Sequence, residues 1–322
     1  MARKKQQMNP VKLTAEQKRL LKDAEKTYKR SDKSTRYIML WLVIVALIAG
    51  LVWNFAERKR SVLYADDRIA VSYIDVGQGD CEFICGDGKS MLIDCGESGA
   101  FEEVSEYLQK LGVKKIDYVV CTHPHSDHMG GMYKIIDSFD VGEAVIPKLA
   151  DKDVPTSEYF ERFLDACDKH KVKLSTAKVG RVIEIGDARA EIIAPLGTGY
   201  SNLNNYSIGI MLRHGRNSFL FTGDAEEKAE KEMAESGRLS HVTVYKAGHH
   251  GSDTAIQSDF MDIISPEYVV ISCGKGNSYG HPHQKTLNKL KKYKTKVYRT
   301  DKNGTVVFES DGKELTVSTE RK

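Results

Sequence analysis

CTHPHSDHMGG, Cys121 to Gly131, places His123, His125, Asp127 and His128 within six positions of a chain that has ten histidines in all. The run follows DYVVC (117–121), an apolar stretch that reads as a strand. His123 and His125 are two apart, so both side chains can point the same way. Asp127 and His128 then fall where a helix begins, and Asp127 suits a helix N-terminus. Gly130 and Gly131 permit close backbone approach. Imidazole nitrogens and a carboxylate at this spacing can serve two adjacent metal positions. Other polar residues also sit at strand ends. Asp94 closes MLID, Asp224 closes FLFTGD, His249 and His250 follow VYKAG, and His281 and His283 occur in SYGHPH. Ends of strands from one sheet gather at one rim. Seven of the ten histidines lie in these clusters, a concentration that metal binding explains better than packing.

Working outward, the pattern from Arg68 onward alternates strands and helices. Expected strands are IAVSYIDVG (69–77), CEFICG (81–86), MLIDCG (91–96), DYVVC, ARAEIIAP (188–195), NYSIGIMLRH (205–214), NSFLFTG (217–223), HVTVYKAG (241–248) and YVVISCG (268–274). Helices are expected at 101–112, from about Asp127, at 159–170, from Glu226 to Glu235 and from Lys285 to Tyr293. The tail, VYRT, GTVVFESDG and ELTVST, reads as a short meander. Hairpins interrupt the simple βαβ rhythm, so the expectation is an α/β fold of two mixed sheets with helices outside.

The net charge of +3 conceals an asymmetry. Residues 1–60 hold 15 Lys/Arg against five Asp/Glu, while the remaining 262 residues hold 33 against 40. The basic charge therefore belongs to the N-terminal region, and the overall balance gives no ground for a nucleic-acid surface on the large domain. Tyr37 to Ala56 is a twenty-residue stretch without a formal charge, with Trp41 and Trp53 near its ends. At 1.5 Å per residue it spans about 30 Å, one bilayer core. Twelve Lys/Arg precede it, and Arg58, Lys59 and Arg60 follow closely. The expected organisation is a basic cytoplasmic tail (1–36), a transmembrane anchor (37–56), a linker (57–67) and an extracytoplasmic domain (68–322) in a single-pass membrane protein. Leu13 to Arg36 reads as a charged helix or a loosely ordered tail near anionic lipid. The six cysteines form no CxxC pair; buried thiols are expected, with a disulfide open in an extracytoplasmic domain.

THPHSDHMGG resembles the metal motif of the metallo-β-lactamase superfamily. More narrowly, DVGQGD (75–80), LIDCG (92–96), FTGDAE (221–226), KAGHHGS (246–252) and SYGHPH (278–283) are similar to the extracytoplasmic nuclease-like domain of ComEC competence proteins, over about residues 68–310. The resemblance implies an αββα sandwich, the metallo-β-lactamase fold, preceded by one transmembrane helix. It implies one or two divalent ions, Zn²⁺ or Mn²⁺. His123 and His125 match ligands of the first, Asp127 and His128 match ligands of the second, and Asp224 matches the bridging carboxylate. His249 or His250 matches the later histidine, and Asp94 the aspartate that orients the site. Asp75 and Asp80 are expected to shape the site from DVGQGD. One departure stands out: IIAPLGTGYSNLNNYS, before Asp224, has no histidine for the first ion, leaving water, Asn205 or Ser207 to complete it.

The implied activity is phosphodiester hydrolysis by a membrane-tethered nuclease, with DNA as substrate and no nucleotide cofactor. Asp127 or Asp224 would position the attacking water, and His281 or Lys246 would stabilise the phosphate or the leaving oxygen. Two alternatives stay open. One is hydrolysis of another phosphoester, such as a cell-wall phosphodiester. The other is a non-catalytic membrane-bound DNA-binding protein.

Overall fold

The computed structural model describes residues 22, 28, 32–63 and 67–321. Residues 1–58 and 59–322 form two separate compact units. The expected tail helix at 13–36 falls mostly outside the described residues. A helix spans Lys33–Leu63 and contains all of 37–56. Among the described residues it is the one helix long and apolar enough to cross a membrane. Tyr37, Trp41 and Leu47 on it are each more than 60% exposed, so it is no buried core helix. The expected linker at 57–67 is helical as far as Leu63, because AERKRSVL contains neither Gly nor Pro to stop the helix.

The large unit has fifteen strands among the described residues: β1 (Ile69–Tyr73), β2 (Glu82–Gly86), β3 (Lys89–Ile93), β4 (Lys115–Val120), β5 (Asp140–Ile146), β6 (Lys173–Thr176), β7 (Val182–Ile185), β8 (Ala188–Ala194), β9 (Gly209–His214), β10 (Asn217–Phe221), β11 (Val244–Lys246), β12 (Tyr268–Ile271), β13 (Lys296–Arg299), β14 (Val306–Ser310) and β15 (Leu315–Thr319). The first sheet has the order β15-β14-β1-β2-β3-β4-β5-β6, and the second β13-β12-β11-β10-β9-β8-β7. Each mixes antiparallel pairs with a parallel run, β3 to β6 in one and β10 to β13 in the other.

Period-two alternation makes the four layers. Val71, Tyr73, Phe219, Phe221, Val244 and Val270 point between the sheets. Their neighbours Leu220, Tyr245, Val269 and Ile271 point outward, under the helices Glu227–Glu235, Ser258–Ile264 and Gln284–Lys292. Helices Phe101–Lys110, Met132–Ser138 and Glu158–His170 cover the other sheet. The arrangement is the expected αββα sandwich. Phe308, fully buried between the sheets, meets the rings of Tyr73, Phe219, Tyr268 and Tyr298 at centroid distances of 5.5–6.4 Å. Phe308→Ala is expected to cost about 3–5 kcal/mol, read as a lowered urea midpoint.

The C-terminal tail corrects the expected meander. β13 pairs parallel to β12 in the second sheet, whereas β14 and β15 join β1 in the first. The short helix Thr300–Asn303 and Gly304 carry the chain from one sheet to the other. Several further strand expectations shorten. Residues 203–206 form a 3-10 turn ahead of β9, β11 covers three residues, and β1 ends at Tyr73. β5, β6 and β7 were not anticipated.

Candidate metal centre

The site lies where the parallel runs end. Chain leaving β3 carries Asp94, and chain leaving β4 carries Thr122 to His128. Chain leaving β10 carries Asp224, and chain leaving β11 carries His249 and His250. Ligands collect outside the carboxyl ends of such strands because the connecting loops converge there. Two glycines make the convergence possible. A Cβ on Gly79 (φ +140°) would lie 2.3 Å from the carbonyl oxygen of Asp127, and one on Gly223 (φ +50°) would lie 2.8 Å from Thr122 Oγ1. The DVGQGD turn is thereby pressed onto the histidine loop, where Asp80 N–H donates to the Asp127 carbonyl at 3.1 Å.

Two groups of donors face Asp224. His123 Nε2 and His125 Nδ1 are 3.0 Å apart, with His123 Nε2 3.9 Å from Asp224 Oδ2. Two nitrogens at that separation can both reach one ion at about 2.0–2.1 Å. On the other side, His128 Nε2 is 3.2 Å from Asp224 Oδ1, and His250 Nε2 is 3.4 Å from Asp224 Oδ2 and 3.2 Å from Asp127 Oδ2. Ligand atoms of Asp80, His128, Asp224 and His250 all lie within 4.8 Å of one another.

The two imidazoles of this second group are held alike. His128 Nδ1 meets Asp94 Oδ2 at 2.7 Å, and Asp94 also accepts from Thr122 N–H and Oγ1. His250 Nδ1 meets Asp80 Oδ1 and the Ser272 carbonyl, each at 3.1 Å. A buried carboxylate behind the ring is the usual outer partner of a metal-ligating histidine. Asp80 therefore belongs behind His250, since its short contact is to Nδ1 while Nε2 faces Asp127 and Asp224.

Whether this donor set fits a cation can be tested on its unpaired atoms. His128 Nε2, His250 Nε2 and Asp224 Oδ1 are buried and make no hydrogen bond. Leaving such atoms unpaired costs about 1–3 kcal/mol each. All three belong to one cluster of nitrogen and carboxylate donors, which a divalent ion would satisfy together. The residues fit.

Burial opposes charge on His128 and His250. The surrounding carboxylates, Asp224 with Asp94 for His128 and Asp224 with Asp80 for His250, override it and raise both pKa values well above the ordinary histidine range. Asp224 is held well below the usual carboxylate range by these same imidazoles despite its burial. Ligation must then displace a proton from each ring. Metal affinity should rise with pH through and above the ordinary histidine range, with up to two protons released per site. Titration calorimetry in buffers of different ionisation heat reads that number. The stability that the protonated rings give the metal-free chain runs the other way. It is present in full below the unfolded histidine value and is lost as pH rises through the raised folded values.

The remaining expected site residues divide. His249 lies at the cleft wall, with Nδ1 3.1 Å from Thr254 Oγ1 and 3.2 Å from Glu226 Oε1, and Nε2 3.6 Å from Asp224. Ser207 Oγ sits 3.3 Å from His123 Nδ1 and accepts from Asp224 N–H. Asn205 is not brought to the cluster. Its Oδ1 accepts from Glu226 and Ala229 N–H and caps the Glu227–Glu235 helix. Lys246, expected at a phosphate, is fully buried, with Nζ donating to Asp80 Oδ2 at 2.7 Å and to the Ala247 carbonyl. Asp75 points elsewhere, to Arg321 and Gly77 N–H, in the wall of a separate 520 Å³ groove that holds no histidine. The β1 chain turns at Gly77 and Gly79, so the two aspartates of DVGQGD face different ways. His281 lines the 330 Å³ cleft over the cluster, with Nδ1 unpaired. Burial and the neighbouring histidines push its pKa down to about 4. Gln78, Tyr159, Asn204 and Tyr279 also line the cleft and were missed by sequence reasoning. All six cysteines are buried free thiols.

The metallo-beta-lactamase superfamily profile matches residues 74–275. The chain belongs to that superfamily. It is 30% identical over 256 residues to ComE operon protein 3 of Bacillus subtilis (strain 168), covering 74% of this chain and 32% of that protein. It is 26% identical to Competence protein ComA of Neisseria gonorrhoeae, covering 83% and 35%. The chain thus spans about a third of the length of these curated relatives. Among solved structures, the metallo-beta-lactamase fold protein YhfI from Bacillus subtilis aligns with a TM-score of 0.51 at 12% identity, over 76% of this chain and 100% of that one. The resemblance to competence proteins is borne out, and the chain carries a metallo-hydrolase fold with competence-protein homologues.

Proposed function

We propose that this protein is a membrane-anchored, extracytoplasmic phosphodiesterase that uses one or two divalent ions, Zn²⁺ or Mn²⁺, to hydrolyse DNA. The observation that carries the reading is the placement of the Asp224 carboxylate between two sets of imidazoles, with unpaired buried donors on the second. His123, His125 and Asp224 would hold one ion, and Asp127, His128, His250 and Asp224 the other. Bound there, the ions would supply Lewis acidity and a water acidic enough to lose its proton near neutral pH. Asp94 and Asp80 hold the two imidazoles in register. Asp127, at the cleft floor, is placed to orient a water, and His281, neutral at pH 7, to hydrogen-bond a phosphate or leaving oxygen. Lys246 acts from behind, through Asp80. DNA as substrate rests on the competence-protein relatives. The membrane assignment rests on the exposed apolar helix and on the twelve Lys/Arg before it.

The test uses the full chain, stripped of metal and resupplied with Mn²⁺, Zn²⁺ or Mg²⁺, on labelled single- and double-stranded DNA. Metal-dependent products are expected. A folded, metal-loaded protein that leaves DNA intact but cuts a wall phosphodiester would replace DNA as the substrate. Strand binding without any turnover would favour the non-catalytic reading, which the two-histidine first position motivates.

A further inference from the structure

Residues 284–296, QKTLNKLKKYKTK, contain six lysines and no acid, in a unit where acidic residues otherwise outnumber basic ones. Lysines in the last turn of the Gln284–Lys292 helix complement its dipole, but Lys285 lies in the first turn, where a cation is disfavoured and the helix itself carries no acidic residue. Helix stability therefore does not account for the set. Lys285, Lys289 and Lys292 recur at i, i+4 and i+7 on one face, spaced about 4.5–6 Å along the axis. Thr286 and Leu290 bury the opposite face. With Ser258, Asn288 and Tyr293, the three lysines line a concavity of 520 Å³ that has no carboxylate in its wall. Nearby acids already have partners. Asp262 accepts from the Tyr293 hydroxyl, and buried Glu230 accepts from Ile256 and Gln257 N–H. Burial lowers the pKa of Lys289, and Lys285 and Lys292 add to that effect against the pull of Glu230 and Asp253.

The groove and the metal cleft are separate concavities, linked by side-chain contacts through Asp253 and His283. Lys285 Nζ is 3.6 Å from Asp253 Oδ2, and Asp253 Oδ1 is 3.1 Å from His283 Nδ1. The His283 ring lies 4.8 Å from that of His281 in the cleft wall. A chain of phosphates leaving the cleft past His281 would pass His283 and Asp253 and reach Lys285 as the first lysine of the groove. We propose that this lysine groove binds the phosphate backbone of the nucleic-acid strand whose scissile phosphate occupies the metal cleft, so that the protein takes a polymer several nucleotides long. The proposal rests on the phosphodiesterase reading for its substrate. The half-buried Tyr293 ring offers a face on which one base can stack.

The experiment measures fluorescence anisotropy of a dinucleotide and of a strand of about twelve nucleotides on the full chain in neutral-lipid nanodiscs, with EDTA present so that nothing is cut. The longer strand should bind more tightly, with an affinity that falls with salt. In K285Q/K292Q, both exposed positions, most of the gain with length should vanish. The slope of log K against log salt should fall by about 1.4, two single-strand phosphate contacts. Circular dichroism checks the fold. An unchanged slope and length gain overturn the proposal. So does protection of these lysines from amine labelling by anionic nanodisc lipid but not by the strand, which would assign the groove to a lipid surface. Lysine-dependent binding without any cleavage when metal is restored overturns the nuclease reading and leaves the groove. Cleavage with a lysine-independent slope does the reverse.

Discussion

Asp224→Asn is expected to abolish metal-dependent turnover, by at least about a thousandfold, well beyond the ~10–100-fold cost of losing an outer partner such as Asp94. Among the described residues, Asp224 is the one carboxylate whose oxygens face both sets of imidazoles: Oδ1 toward His128, Oδ2 toward His123, His249 and His250 at 3.4–3.9 Å. The amide keeps the shape and one acceptor but removes the negative charge that both ions would share. It also turns an NH₂ toward His128 or His250. Metal content by mass spectrometry should fall together with the cleavage rate, and the pKa values of His128 and His250 should drop as their strongest counter-charge disappears. A variant that keeps its metal and cuts within tenfold of the parent would remove Asp224 from the centre of the site. Asp94→Asn makes the comparison sharp, because among the described residues its carboxylate hydrogen-bonds His128 Nδ1 and Thr122 and not the imidazoles of the other set.

The sequence made the rim of the site legible because metal ligands must be chemically uncommon. Histidines clustered after apolar runs point to strand ends, and strand ends in an α/β protein share an edge. His123, His125, Asp127, His128 and Asp224 are brought together for that reason. Pattern alone could not choose between His249 and His250. The choice depends on backbone twist: both residues have positive φ, and the turn puts His250 inside and His249 at the wall. Asp75 and Asp80 look equivalent in DVGQGD, yet two glycines reverse the chain between them and send one to Arg321 and the other behind His250. Tyr159 reaches the cleft from the first turn of the Glu158–His170 helix, where no local signal marks it, and Tyr279 was overlooked inside SYGHPH because the histidines there drew the reading. The tail misled because three short β-like runs in succession look like a meander. Only the pairing of β13 with β12, and of β14 with β1, reveals that they belong to different sheets.

Lys246→Met is expected to cost about 3–5 kcal/mol of stability, the range for removing one member of a buried ion pair. Both partners are 1% exposed, and the pair is 2.7 Å long. Burial opposes the charge on Asp80, and Lys246 with His250 overcomes it and holds the carboxyl low. Glu82 lies beside them, its pKa pushed well up by burial and by Asp80. Without the ammonium, the buried Asp80 carboxylate loses its strongest counter-charge and keeps its contact to His250 Nδ1, with Glu82 as its neighbour. Asp80→Asn should be comparably unstable for the mirror reason, a buried ammonium without its carboxylate. The double variant D80N/K246M removes both charges, so urea denaturation should place it well above either single variant. A coupling of that size is what distinguishes a pair from two independent sites. Metal affinity should not recover with stability. The double variant still lacks the carboxylate behind His250 Nδ1, and should bind the second ion about 10–100-fold more weakly. A Lys246 that instead touched substrate phosphate would give a different result: Lys246→Met would raise KM or lower kcat with stability and metal content intact. Stability loss with rescue in the double variant, and metal affinity that follows Asp80 alone, would place Lys246 behind the site as the support of its outermost carboxylate.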